Sequence, residues 1–327
     1  MWWSGTYRRL GRHRSGRVTV RFVAVLAAFV VAVVGLGPIF AGALAPPEPT
    51  TSYYEGSAST KMLFVQGKLA GEARQEGIVI LDFGRPAYDG ATFGTLAYSG
   101  RFIPLSGIVA GVQSYIRGYY RWAPSYTSLD VAIGTNNSCG TGQPCGSIPF
   151  CGCPDEPPSF FVWGQELALS VLGTGAWART LRASNGYTDD VRVVAADDAE
   201  PAYDPGFINT YDLLAGYAST VGGTFPAMVD YGSAESSFWT QAQLLQVAYG
   251  FAPDVPMPQI YYQDQAAQWG SLLRYAKARK RVLVRIFGVL TTGAGTNDPA
   301  TAYADMLGAA AGVTAQGQIP WLSTIYR

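Results

Sequence analysis

The stretch Val191-Arg-Val-Val-Ala-Ala-Asp-Asp-Ala-Glu200-Pro201 decides the reading of this 327-residue chain. It reads as a short apolar strand that runs into three carboxylates, Asp197, Asp198 and Glu200. Side chains alternate across a strand, so Asp198 and Glu200 would share one face, their Cα atoms roughly 6–7 Å apart. Two acids crowded on one face disfavour each other's ionisation, and one of them then keeps a proton near neutrality. That is the raw material of acid catalysis, above all of glycosidic bond cleavage. Asp197 would face the other way, toward a helix start.

Working outward, strand-like runs recur at Gly77–Asp82, Leu129–Gly134, Phe225–Asp230, Gln259–Tyr262, Val282–Val289 and Trp321–Tyr326. Helix-like stretches at 103–121, 159–182, 206–219, 235–249, 264–279 and 299–311 alternate with them. Asp298-Pro299 has the look of a cap followed by a proline at the first helical position, and Asp264 and Asp204-Pro205 are similar. Alternation over this length predicts a parallel sheet with helical crossovers. The fold class is α/β, with a (β/α)8 TIM barrel, regular or degenerate, ahead of an open doubly wound sheet. Met62–Val65 is a weak candidate for the eighth strand.

In such a barrel the carboxyl ends of the strands form the active face. The strands end in Asp82, then Asn136 and Asn137, then Asp197, Asp198 and Glu200, then Asp230-Tyr231, then Gln259 with Tyr261. The catalytic candidates are Glu200, Asp198, Asp82 and Asp230. The substrate-binding candidates are Tyr231, Tyr203, Tyr261, Gln259, Asn136 and Phe83, whose rings or amides would meet a sugar. Trp163, Trp177, Trp239 and Trp269 read as packing. Asn297 and Asp298 read as a helix cap rather than a calcium site, and no metal or cofactor is expected.

The composition excludes other chemistries. The only histidine, His13, sits in a basic head, so Ser-His-Asp and Cys-His catalysis and His-containing zinc sites have no imidazole in the remainder. Neither a Walker loop nor a GxGxxG after a strand is present. Residues 1–21 hold six arginines and no acid, and an uncharged apolar run, Phe22 to Ala45, follows. That run is long enough to span a bilayer, and the arginines would hold its start in the cytoplasm. Residues 1–45 are therefore a basic head with either a cleaved signal peptide or a retained membrane anchor through 22–45. Residues 46–57 read as a Pro-rich spacer and 58–327 as the barrel. Either way the expected location is secreted, or anchored to the outer face of the cytoplasmic membrane. Without the head the chain loses six of 23 basic residues and none of 23 acidic ones, a balance of −6. That argues against nucleic acid as a partner. Cys139, Cys145, Cys151 and Cys153 fall within one Gly/Pro-rich loop at 139–153 and read as two disulfides, 139–151 with 145–153 or 139–153 with 145–151.

At Ile80-Leu-Asp82, Asp198-Ala-Glu200 and Gln259-Ile-Tyr261 the chain resembles the glycoside-hydrolase-like TIM barrels of exported bacterial proteins, the family 25 lysozyme-type muramidases among them. The resemblance implies Glu200 as general acid, Asp198 and Asp82 as partner carboxylates, and polysaccharide or peptidoglycan as the partner. The alternatives are a catalytically silent barrel that binds glycan or a surface partner, and a structural envelope protein held by its anchor.

Overall fold

The computed structural model describes residues 45–138, 159–280, 284–292, 297–313 and 318–326. The basic head and apolar run up to residue 44 and all four cysteines lie outside the described residues. Among the described residues, no helix is long and apolar enough to cross a membrane.

The chain alternates strand and helix as its periodicity requires. The elements are β1 (Thr50–Tyr54), α1 (Thr60–Glu72), β2 (Gly77–Asp82), then three short strands β3 (Arg85–Tyr88), β4 (Phe93–Leu96) and β5 (Phe102–Pro104). There follow α2 (Leu105–Trp122), β6 (Ser128–Asn136), α3 (Phe160–Asn185), β7 (Asp190–Asp198), α4 (Ile208–Val221) and β8 (Met228–Asp230). The last are α5 (Gln241–Tyr249), β9 (Asp254–Pro256), α6 (Gln263–Lys280), β10 (Gly288–Thr292), α7 (Pro299–Ala310) and β11 (Trp321–Tyr326). Eight strands form one parallel sheet in the order β10-β11-β1-β2-β6-β7-β8-β9. The two edges then meet. Gln259 bridges Leu290 in parallel register, and Ile260 N–H donates to the Leu290 carbonyl at 2.8 Å. With the strands in chain order and the ring returning on itself, this is the plan of a (β/α)8 barrel. Among the described residues seven helices join or flank these strands, and β11 is the last element.

Strand parity divides the core in two. Ile78, Ile80, Ala132, Val194, Ala196, Val229, Met257, Leu290 and Ile325 fill the barrel interior. The alternate residues, among them Leu81, Val131, Val193 and Met228, pack outward under the helices with Trp163 and Trp269. Two helix pairs approach backbone to backbone through glycine. A Cβ on Gly67 of α1 would lie 2.0 Å from the Tyr115 carbonyl oxygen of α2, and one on Gly216 of α4 at 2.0 Å from the Phe161 carbonyl oxygen of α3. Asp298 caps α7 as expected, accepting from Thr301 N–H at 2.9 Å, with Pro299 at the first helical position.

Some expectations need correction. Met62–Val65 lies inside α1, whose start is set by Ser59 accepting from Met62 N–H. The missing strand is Thr50–Tyr54, within the segment read as a spacer; the prolines stop at Pro49, and the β-branched and aromatic run after it pairs with β11 and β2. The sixth barrel strand is Asp254–Pro256, and Gln259 makes only the closing bridge, because Tyr262 leads at once into α6. The seventh begins at Gly288, later than the run Val282–Val289 suggests. The antiparallel sheet β3-β4-β5, inserted between β2 and α2, has no counterpart in the sequence reading.

Candidate functional site

Parity and register assemble the site at the carboxyl ends of the strands. Tyr54 pairs with Asp82 across β1 and β2, and Asn136 with Asp198 across β6 and β7. These residues continue the interior positions of Ile80, Ala132 and Ala196 and so top the barrel's inner column.

Asp82 is 0% exposed and fully engaged. Its Oδ1 accepts from Gly84 N–H at 2.7 Å. Its Oδ2 accepts from the phenols of Tyr231, at 2.6 Å, and Tyr98, at 2.7 Å. Asn136 Nδ2 in turn donates to the Tyr98 oxygen at 3.1 Å. Burial pushes the Asp82 carboxyl up to about 6, and the three donors hold it below where burial alone would place it. Asp198 is buried beside it. Gln259 Nε2 donates to its Oδ1 at 2.6 Å. Desolvation, followed by the nearby charges of Glu200 and Asp82, raises its proton affinity well above the ordinary carboxylate range.

Glu200 reaches the site differently from the sequence expectation. The strand ends at Asp198, and the chain turns there, with Glu200 N–H on the Asp198 carbonyl at 3.1 Å. Glu200 therefore stands on a loop, half-buried, and not on the strand face. Asn137 fixes the loop: its Oδ1 accepts from Glu200 N–H at 3.0 Å and its Nδ2 donates to the Glu200 carbonyl at 3.0 Å. The Glu200 carboxylate accepts from Ser233 Oγ at 2.7 Å. Burial raises its proton affinity and the Ser233 hydroxyl opposes that rise.

The remaining candidates separate. Tyr261 meets the hydroxyl of Tyr54 at 3.2 Å, and the Tyr54 ring packs edge-on against Tyr98, centroids 4.9 Å apart. Asn136, Gln259 and Tyr231 are committed to the hydrogen bonds above, Tyr231 with its ring wholly buried. Tyr203 lies on the turn after Glu200, its N–H on the Glu200 carbonyl at 2.9 Å, with its side chain partly exposed. Phe83 follows Asp82 and so points the opposite way, into the packing beneath the helices; it has no surface to offer a ligand. Asp230 is buried on the face of β8 opposite Tyr231, paired in register with Asp197, and accepts from Gly232 N–H at 3.1 Å. Burial first, and Glu200 after it, pushes Asp230 up to about 7. Asp197 does face outward, but it caps no helix: both its oxygens are buried without a hydrogen-bond partner among the described residues, and desolvation with Asp230, Asp82 and Asp204 nearby raises it far above the ordinary range.

Three site residues escaped the sequence reading. Tyr54 and Glu55 lie at the end of β1, in the segment taken for a spacer; recognising that strand would have brought both into the set of strand-end residues. Glu55 is buried, its N–H on the Asp82 carbonyl at 2.6 Å, and burial pushes it up to about 7. Tyr98 comes from the turn between β4 and β5, and only the folded insertion carries it to Asp82. Among the described residues no cluster of acids has the geometry to hold a metal ion.

Fold and site together define an α/β barrel with a buried, tyrosine-lined carboxylate cluster at its mouth. No family model matches the chain, and no curated protein does. Among solved structures it is similar to the catalytic domain of GH30 xylanase C from Talaromyces cellulolyticus, with 12% identity over 81% of this chain and 77% of that one and a TM-score of 0.32. A likeness of that degree carries no inference about chemistry.

Proposed function

We propose that the chain is a glycoside hydrolase acting outside the cytoplasm, on cell-wall or other extracellular polysaccharide, by carboxylate acid/base chemistry. One observation carries the reading: Asp198 and Glu200 flank one strand end at the barrel mouth, where burial raises the proton affinity of both. The half-buried Glu200 protonates the leaving oxygen, its Ser233 partner orienting the carboxyl. Asp198, held by Gln259 and with its own proton affinity raised by burial and by Glu200, shares one proton with Glu200 and is the partner carboxylate whenever Glu200 holds it. Asp82, behind Tyr98, adds field to the same mouth without touching substrate. The basic head and the apolar run Phe22 to Ala45 support export; the acidic balance of the remainder suits a neutral glycan better than an anionic polymer.

A second reading, a barrel that binds glycan without cleaving it, is favoured by the complete internal engagement of Asp82 and Tyr231. Reducing-end release and binding across a glycan panel that includes peptidoglycan separate the two. The hydrolase reading requires turnover that falls by ~10²-fold or more in Glu200→Gln with an unchanged melting temperature. Binding without turnover, indifferent to that substitution, transfers the conclusion to the second reading, and neither binding nor turnover removes both.

A further inference from the structure

Helix α1 has three distinct faces. Leu63 and Ala70 enter the core. Gly67 and Gly71 lie against α2, where Cβ atoms would fall 2.0 Å from the Tyr115 carbonyl oxygen and 2.8 Å from Ala123 N. The third face carries Met62, Val65 and Leu69, which are 53%, 46% and 54% exposed. Their i, i+3, i+7 spacing aligns them in one stripe. The glycine contacts draw α1 toward α2. A continuous exposed apolar stripe is the kind of surface that an interface covers.

We infer that the covering surface is the same stripe of a second copy of this chain, the two α1 helices running antiparallel about a two-fold axis close to Val65. The stripe is self-complementary in that arrangement, since Met62 of one copy meets Leu69 of the other and Val65 lies on the axis. Charge selects the antiparallel sense. Lys61 and Glu72 stand at opposite ends of the helix on the same flank of the stripe. A two-fold axis across the helices keeps that flank and exchanges its ends, so each Lys61 meets the Glu72 of the other copy, whereas parallel pairing about a two-fold would send the two flanks to opposite sides and form no such pair. Lys68 is turned away, engaged with Glu72 at 3.4 Å and with the Trp122 ring at 5.1 Å within its own chain.

The test is the mass of the full-length chain, by light scattering and sedimentation in one mild detergent, up to about 100 µM. The expected result is a dimer that Val65→Asp with Leu69→Asp converts to half the mass at an unchanged melting temperature, both side chains being exposed. Lys61→Glu is expected to weaken association about fivefold through its two symmetry-related pairs, and adding Glu72→Lys to restore it. A monomer at the highest concentration, a dimer indifferent to the stripe substitutions, or a charge swap that fails to rescue each overturns the inference.

Discussion

Removing the Tyr98 hydroxyl isolates one term in the electrostatics of the barrel mouth. In Tyr98→Phe the ring that packs against Tyr54 stays, and Asp82 Oδ2 loses a donor at 2.7 Å. Hydrogen bonds to a charged group are worth about 1.5–3 kcal/mol net. The Tyr98 residue is partly exposed, so the lower end applies; about 1.4 kcal/mol corresponds to about one pKa unit. Tyr98 donates to the charged form, so its loss favours the protonated one, and the Asp82 carboxyl should move from about 6 to roughly one unit higher. Tyr231→Phe should move it further, because that phenol is wholly buried and bonds at 2.6 Å. The assay is a pH titration of the aspartate side-chain carboxyl carbons by 13C NMR, with Asp82→Asn identifying the resonance. A midpoint that stays put or falls in Tyr98→Phe would refute the view that the phenol stabilises the carboxylate.

Other outcomes follow from the same structure. Asp82, Asp230 and Glu55 sit at about 6, 7 and 7, above their unfolded values near 4, so the native state binds protons that the unfolded chain has released. Their contribution to stability is complete below about pH 4 and is lost as pH rises through 6–7; thermal melts should show a midpoint several degrees higher at pH 5 than at pH 8. Asp197→Asn removes a buried acid whose oxygens have no hydrogen-bond partner among the described residues. It should raise the melting temperature more at pH 8 than at pH 5, and an equal gain at both would argue against a charge penalty. Gly67→Ala should destabilise by about 1–3 kcal/mol in urea titrations, because its Cβ would press on rigid α2 backbone.

The legible parts of this fold are those where one element speaks for itself. Gly77–Asp82 and Trp321–Tyr326 announce themselves by apolar runs bounded by turn residues, and six helices by their period. Thr50–Tyr54 was hidden by its neighbours, since three prolines in four residues read as a spacer whatever follows them. The strand-end acids were legible because parity fixes Asp82 and Asp198 inward. Parity failed for Glu200, where the strand stops two residues early and a loop takes over. It also assigns Phe83 and Asp230 to the face away from the mouth, which a reading by proximity in sequence overlooked. Tyr98 belongs to a third category: its partner lies sixteen residues away across an inserted sheet, and no local pattern encodes that meeting.

The strands around the ring are unequal. β6 and β7 run for nine residues each, while β8 and β9 have three, and the seam from β9 to β10 hangs on the bridge at Gln259 and its neighbours. Amide protons along β8, β9 and the seam should therefore exchange ahead of those in β6 and β7, as a zip parts at its shortest run of teeth. Gln259 stands between Pro258 and Ile260, whose backbone groups fasten that seam to Leu290, and its side chain pins Asp198, so each local opening there would also release the acid, tying the breathing of the wall to the readiness of the mouth.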